Sequence, residues 1–167
     1  MTTEPPATTA PSTSDAALAL RPATRFDPAV QTPAAYRALY KLQLAVEDCG
    51  LDSALVELLK VRASILNGCA FCIDLHVKDA VAAGESHRRL HAVGAWREAP
   101  FFTGPERSAL ALVDAVTLIA ELQVPDDVYA AAREHFSDED VASLIWVAIV
   151  INAWNRLAVS ALVHPAE

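Results

Sequence analysis

A long apolar segment near the C-terminus limits the folds open to this chain more than any other part of its sequence. Residues 141–163 read VASLIWVAIVINAWNRLAVSALV, and Asn152, Asn155 and Arg156 interrupt the segment before it could span a bilayer cleanly. A helix that is apolar on nearly all sides forms either the centre of a core or part of a subunit interface. We therefore predict a buried helix in which Arg156 makes a structural salt bridge or a helix-end contact.

The remaining sequence has helical rather than strand-like patterns. Apolar residues recur at helical spacing, and the chain has only 5 glycines in 167 residues. Thr103 and Glu106 have capping-box spacing, and Ser137 and Asp140 are placed to cap the long apolar helix. Because 53% of the residues are hydrophobic, the chain can bury a sizeable core. We predict an all-α, single-domain fold of roughly seven helices over residues 26–167.

The first 25 residues differ in composition from the rest of the chain. They are rich in proline, threonine, alanine and serine, which predicts a disordered arm over residues 1–25. The arm lacks the basic region and the continuous apolar stretch of a secretory signal. The chain also has three cysteines, an odd number that argues against a secreted disulfide framework. We therefore expect a cytoplasmic protein in a reducing compartment.

The charge of the chain bears on its partners. The formal net charge is −8 and the sequence pI is about 5.0. No basic run or interleaving of aromatic and basic residues occurs in the sequence, so we do not expect a nucleic acid partner. Because polar residues interrupt the apolar segment, we do not expect membrane attachment either.

The stretch NGCAFCIDLH, residues 67–76, has the pattern C-x-x-C-x-x-x-H. On a helix, Cys72 lies about 60° from Cys69 and His76 about 40° from Cys72, so all three share one face. The N–H groups of a first helical turn favour a thiolate, and a histidine one turn away can accept a thiol proton. A second cysteine can close an oxidised sulfur into a disulfide. A thiol peroxidase needs these three groups.

Glu57 is a further candidate, since it interrupts the apolar run LVELLKV one helix upstream. If the turn at Asn67 and Gly68 folds its helix against the cysteine helix, Glu57 could orient His76 and accept its proton. The alternative is a solvated pair with Lys60, three residues away. The spacing alone favours this alternative.

Two other interpretations of the cysteines stay open at this point. Cys69, Cys72, His76 and Glu57 could be imagined around a tetrahedral zinc ion, although zinc sites usually take some ligands from a distant segment. The two cysteines could also be inert core residues, because free cysteine is often buried. Cys49 is predicted to be structural, since no partner for it is apparent in the sequence.

The combined pattern E-x11-C-x-x-C-x-x-x-H resembles the core of the alkylhydroperoxidase D and carboxymuconolactone decarboxylase superfamily. Glu57, Cys69, Cys72 and His76 fill it. The surrounding VRASILNGCAFCIDLHVKDAVAAGE and the later INAWNRLAVSAL are similar to the superfamily as well. The resemblance covers about residues 26–162, which is nearly everything but the arm.

The resemblance implies an all-helical fold that assembles into homo-oligomers, often trimers or hexamers. Its peroxidase members reduce organic hydroperoxides without metal, haem or flavin, as part of antioxidant defence. Carried over, Cys72 is the peroxidatic thiolate, Cys69 is the resolving thiol, and His76 with Glu57 forms the proton relay. A dithiol donor such as a dihydrolipoyl protein would then reduce the redox-active disulfide between Cys69 and Cys72. The helix dipole by itself favours Cys69, which lies nearer the N-terminus of its helix.

One position departs from the family pattern. Phe71 stands where peroxidase members can carry histidine or tyrosine, so the pocket becomes more apolar and the relay loses a possible member.

Two alternatives to the peroxidase hypothesis remain. The chain could be a non-enzymatic redox-sensing or scaffold oligomer, or a carboxymuconolactone decarboxylase-like enzyme that acts on a non-peroxide substrate.

Overall fold

The computed structural model describes residues 22–165, and this part of the chain is all-helical, with no strand. The prediction of an all-α fold is confirmed. The helices are α1 (Pro28–Gln31), α2 (Pro33–Glu47), α3 (Ser53–Leu66), α4 (Ala70–Ala82), α5 (His87–Ala92), a 3-10 turn (Val93–Ala95), α6 (Gly104–Thr117), α7 (Ile119–Leu122), α8 (Asp126–Arg133) and α9 (Asp138–Ala161).

The described residues contain nine α-helices rather than roughly seven, because residues 28–47 and residues 104–122 each form two helices. Pro33 begins α2 directly after Thr32, since a residue before proline is disfavoured in the helical conformation and proline has no N–H to donate. Leu118 separates α6 from α7 with non-helical dihedral angles of φ −99° and ψ 34°. Both divisions produce helices of one turn, α1 and α7, and leave the order of the longer helices unchanged.

The predicted helix starts are found in the structure. Thr103 and Glu106 form a capping box at α6, and Ser137 and Asp140 form another at α9. The Asp52 side chain caps α3 by accepting a hydrogen bond from the backbone N–H of Leu55 at 3.1 Å. The two predicted capping pairs are confirmed because a cap depends on residues within one turn of each other.

The core lies between α3, α6 and α9, and α4 packs against α3 on one side of it. Large side chains on these three helices are fully buried, among them Leu58, Leu59, Leu110, Leu112, Leu144 and Ile151. Helix α3 therefore has neighbours on several sides, and its polar residues near α4 are held inside the protein.

Helix α9 is long and apolar enough to cross a membrane, but 56% of its most apolar window is buried inside the bundle. This is the arrangement of a core helix in a soluble protein, as the interrupted segment predicted. Its other side is exposed: Trp146 is 48% exposed and Ile149 is 40% exposed. Arg156 lies on the exposed side as well, where it donates to the side-chain oxygen of Asn152 at 2.6 Å rather than to a carboxylate.

The buried polar residues of α9 tie it to the end of α3. The side-chain amide of Asn67 donates to Asn152 and to Asn155, each at 3.0 Å, and Asn155 donates to Ser64 at 3.0 Å. Buried amides of this kind must be hydrogen-bonded, so the network fixes the position of the turn between α3 and α4 relative to α9.

The predicted arm over residues 1–25 lies for the most part outside the described residues, and its boundary stays a prediction. Residues 22–25 lie against the C-terminal end of α9. The backbone N–H of Arg25 donates to the carbonyl of Ala161 at 2.9 Å, and its side chain donates to the carbonyl of Ser160 at 3.1 Å.

Candidate active site

The turn between α3 and α4 brings the candidate residues together. Asn67 is the C-terminal cap of α3, and Gly68 follows with φ +65°, a conformation that favours glycine. The backbone N–H of Cys69 donates back to the carbonyl of Ser64 at 3.0 Å. Helix α4 therefore folds back along α3, which is the condition under which Glu57 could reach His76.

Cys69 and Cys72 form a disulfide at the start of α4, and their Cα atoms are 5.3 Å apart. Both are buried, and the Cys69 sulfur accepts a hydrogen bond from the backbone N–H of Cys72 at 3.3 Å. Cys69 is the N-terminal cap and Cys72 is the third residue of the helix. Both sulfurs therefore lie in the region where the helix dipole favours negative charge, so the dipole does not select one of them strongly.

Glu57 contacts His76 directly. Its Oε2 lies 2.8 Å from His76 Nδ1, and its Oε1 accepts from Lys60 Nζ at 2.8 Å. The Glu57 side chain is only 14% exposed. Each Glu57 carboxylate oxygen therefore has one of the two partners that the sequence offered as alternatives. The pair with Lys60 that spacing favoured does form, but it is buried and not solvated as predicted.

The environment of Glu57 determines the proton positions in the relay. Burial acts to raise the pKa of Glu57, but hydrogen bonds from His76 and Lys60, together with the charge of Lys60, outweigh burial and lower the pKa. Glu57 is therefore a carboxylate at neutral pH and accepts from His76 Nδ1. Since Nδ1 carries the proton, Nε2 of the neutral ring is free to accept one from a thiol.

Lys60 is the member of the site that sequence reasoning placed on the surface. Its side chain is only 9% exposed, and its Nζ also lies 3.5 Å from Oε1 of Glu47 on α2. The sequence did carry a signal, because Lys60 lies within the same apolar run as Glu57. Spacing could not show that α4 would cover the pair.

A cavity of about 210 Å³ exposes part of the site to ligands. Cys72 and His76 lie in its wall, whereas Cys69 does not. The other lining residues come from α2, α4 and α9: Tyr36, Tyr40, Gln43, Phe71, Leu75, Trp154 and Ala158. Sequence reasoning did not assign the residues of α2 to the site, although Tyr36 and Tyr40 are one turn apart on one helix face.

The residues do not fit the zinc alternative well. The two cysteine sulfurs are joined to each other, and the His76 Nδ1 and both Glu57 oxygens already have hydrogen-bond partners. Asp79 comes within ligand distance of Glu57 and His76, but the ammonium of Lys60 lies against the same carboxylate and opposes a second cation.

Sequence comparison identifies relatives of the chain. The sequence model of the carboxymuconolactone decarboxylase family matches residues 31–115. The uncharacterized protein YdfG of Bacillus subtilis (strain 168) is 35% identical over 128 residues, which cover 77% of this chain and 87% of YdfG.

Solved structures have the same fold. A protein of unknown function from Agrobacterium tumefaciens, described as a candidate antioxidant defence protein AhpD, matches with a TM-score of 0.84 and 43% identity over 87% of this chain and 100% of its own. The AhpD core of a peroxidase-related protein from Ralstonia eutropha matches with a TM-score of 0.74 and 22% identity, covering 83% and 74% of the two chains. The debrominase Bmp8 matches with a TM-score of 0.70 and 14% identity over 81% of this chain and 73% of its own. At the low identities of these last two structures, the likeness shows the fold alone. The chain therefore belongs to the carboxymuconolactone decarboxylase family and has an alkylhydroperoxidase D-like fold.

Proposed function

We propose that the chain is a thiol-dependent hydroperoxide reductase that serves in antioxidant defence. The observation that carries the proposal is the joint placement of a Cys69–Cys72 disulfide, His76 and Glu57 beside one cavity. The pair can alternate between dithiol and disulfide, and the histidine with its carboxylate can move the protons that this change requires. The likeness to the Agrobacterium tumefaciens protein supports the same role.

Cys72 is proposed as the thiol that attacks the peroxide. It lies in the cavity wall with His76, which follows it by one helical turn, whereas Cys69 lies outside the wall. A peroxide in the cavity would therefore meet Cys72 first. Cys69 is proposed as the resolving thiol, since it already lies at bonding distance from the Cys72 sulfur.

In the first step, Nε2 of His76 accepts the Cys72 thiol proton, and the thiolate attacks the outer oxygen of the hydroperoxide. The S–O bond forms as the O–O bond breaks, and the alkoxide leaves as the alcohol with the proton from His76. Cys72 is now a sulfenic acid. Glu57 holds the ring through Nδ1 and stabilises its protonated form.

In the second step, the Cys69 sulfur attacks the sulfur of the sulfenic acid, and the departing hydroxide leaves as water with the proton that the Cys69 thiol gives up. The product is the disulfide seen in the structure. An external dithiol then supplies two electrons and two protons and is itself oxidised to a disulfide. The complete cycle turns one hydroperoxide and one dithiol into one alcohol, one water and one disulfide.

The proposal includes partners and a location. We propose a dithiol donor such as a dihydrolipoyl protein. The disulfide is buried, so its donor must be able to reach it through the cavity. We also propose that the protein works as a homo-oligomer, a trimer or a hexamer, in the reducing cytoplasm.

Mass spectrometry of tryptic peptides after a short, sub-stoichiometric pulse of organic hydroperoxide tests the proposal on the reduced protein. Cleavage after Arg62 and Lys78 leaves both motif cysteines in ASILNGCAFCIDLHVK, whereas Cys49 falls in a separate peptide and serves as an internal control. We expect the motif peptide to lose two hydrogens rapidly while Cys49 stays reduced. If the motif peptide reacts no faster than free cysteine, the proposal is wrong.

Turnover with a dithiol donor separates the enzyme from the redox-sensing alternative. An enzyme consumes many equivalents of hydroperoxide when a dihydrolipoyl donor is present. A sensor or scaffold protein would form the disulfide once and then stop, with or without the donor.

A further inference from the structure

A second cavity of about 270 Å³ adjoins the cavity at Cys72. The two share four lining residues, Tyr36, Phe71, Trp154 and Ala158. The outer cavity is completed by Thr24, Phe26, Asp27, Pro28, Leu157 and Val163. We call the two together the aromatic cleft. Its inner end holds the reactive sulfur, and its outer end is walled by residues 24–28.

The outer wall of the aromatic cleft is held in place by the end of α9. Thr24 and Arg25 hydrogen-bond to backbone carbonyls at the C-terminal end of that helix. Residues 24–28 precede residue 31, where the match to the family begins. This wall of the cleft therefore lies outside the residues that the family model matches.

The lining of the cleft favours an uncharged ligand. None of the described residues that line the two cavities is a lysine or an arginine. The acidic residue in the lining is Asp27, whose carboxylate caps α1 by accepting from the backbone N–H of Ala29 at 2.8 Å. The titratable base in the lining is His76, whose ring already faces the Glu57 carboxylate, so a ligand carboxylate would lose its hydration without meeting an unpaired cation, which is strongly unfavourable.

Trp154 is the central wall of the cleft, since it lines both cavities and its ring packs edge-on against Tyr36 with centroids 5.2 Å apart. Its indole Nε1–H is buried and has no acceptor among the described residues. Buried donors are rarely left without an acceptor, and this one belongs to a side chain that forms part of the cleft wall.

We propose that the aromatic cleft selects compact, neutral hydroperoxides whose organic group is aromatic or branched. The organic group lies among Phe26, Phe71 and Trp154 while the peroxide group lies at Cys72. This inference rests on the proposed function for the reaction, but the binding preference can be measured without turnover. The alcohol product keeps the organic group and one oxygen, so it binds the same cleft and does not react.

The first test compares cumene hydroperoxide with hydrogen peroxide. Phe26 is 37% exposed and lines the outer cavity but not the inner one, whose wall holds the reactive sulfur. We expect Phe26→Ala to lower kcat/KM for cumene hydroperoxide about tenfold and to change that for hydrogen peroxide less than about twofold. Val30→Ala is the control, because Val30 is 68% exposed on the neighbouring α1 and lines neither cavity. An equal effect of Phe26→Ala on both peroxides, or none on either, would overturn the proposal.

The second test measures binding to the disulfide form by calorimetry. The probe is 2-phenylpropan-2-ol, and the matched anion is 2-methyl-2-phenylpropanoate, which carries a carboxylate in place of the hydroxyl. We expect the alcohol to bind at least about tenfold more tightly than the anion, and Trp154→Phe to weaken the alcohol's binding. Equal binding of the two, or no binding of the alcohol, would overturn the proposal.

The two tests separate the cleft from the reaction. If the wild type reduces no hydroperoxide but binds the alcohol selectively, the proposed function fails and the ligand preference stands. If the wild type reduces both peroxides but does not bind the alcohol, the function stands and the cleft proposal fails.

Discussion

Glu57 is the residue through which the proton relay is adjusted. Four charged or titratable groups face it: His76 and Asp79 from α4, Lys60 from its own helix and, through Lys60, Glu47 from α2. Lys60 adds positive charge against a carboxylate that burial alone would favour in its neutral form. The lysine thereby keeps Glu57 ionised and able to accept from His76.

The first prediction concerns the pH dependence of Lys60→Met. Lys60 lowers the pKa of Glu57, so removing its charge raises that pKa. Protonated Glu57 no longer stabilises the His76 imidazolium. As the pH is lowered, the rate of the reduced enzyme with hydroperoxide should therefore start to fall at a higher pH in Lys60→Met than in the wild type. The measurement is the second-order rate constant between pH 4 and 8. Lys60→Arg, which keeps the charge, should retain the wild-type profile, and an unmoved acidic limb in Lys60→Met would remove Lys60 from the relay.

The second prediction separates the two cysteines. Cys72→Ser should abolish turnover, because the thiol in the cavity wall is gone. Cys69→Ser should rapidly consume about one equivalent of hydroperoxide and then stall as the Cys72 sulfenic acid, which a second equivalent slowly oxidises to sulfinic acid. Stopped-flow consumption of peroxide and the mass of the intact protein measure both effects. Turnover retained by Cys72→Ser would reverse the proposed roles.

At the scale of elements, the turn between α3 and α4 decides whether the site forms. Gly68 has φ +65°, and a Cβ placed on it would meet no atom within 4 Å. The cost of a side chain there is therefore backbone strain without a clash. The same turn carries Asn67, whose amide reaches α9, so a shift of the turn would move α4 relative to α3 and α9.

The third prediction is that Gly68→Ala lowers the free energy of unfolding by about 1–2 kcal/mol, the cost of a left-handed conformation in an alanine. Denaturant titration measures it. Gly94→Ala is the matched control, since Gly94 is equally open but has no positive φ, and it should be neutral or slightly stabilising. Equal losses in the two variants would show that the left-handed conformation at Gly68 is not what makes glycine necessary.

The turn also shows which parts of the site the sequence could predict. Asn67 and Gly68, like the capping pairs of α6 and α9, act within a few residues, so their types and spacing were sufficient. The Glu57–His76 contact depends on how α4 packs on α3, and sequence spacing alone favoured solvent over it. The burial of Lys60 and the aromatic walls from α2 and α9 depend on tertiary packing, which no local pattern encodes.

At the scale of the whole molecule, the unpartnered side of α9 bears on assembly. Trp146 and Ile149 are exposed on one helix that is otherwise built into the core, and Ile119 of α7 lies beside Ile149 in the wall of a shallow groove. Clustered exposed apolar side chains of this size usually belong to an interface. The sequence left two interpretations of the apolar helix, core or interface, and the structure gives α9 a side suited to each.

The fourth prediction is that Ile149→Asp reduces the assembly towards the 17.9 kDa monomer. A carboxylate at this position would have to be buried without a partner if copies of the chain meet there, whereas it costs little on a free surface. Light scattering coupled to size exclusion measures the mass, and circular dichroism checks that the helices are retained. Val30→Asp, on an element remote from α9 in sequence and more exposed, should leave the mass unchanged. If the wild type is itself a monomer, the proposed oligomer is wrong; if Ile149→Asp keeps the mass of a wild-type oligomer, the copies meet through another surface.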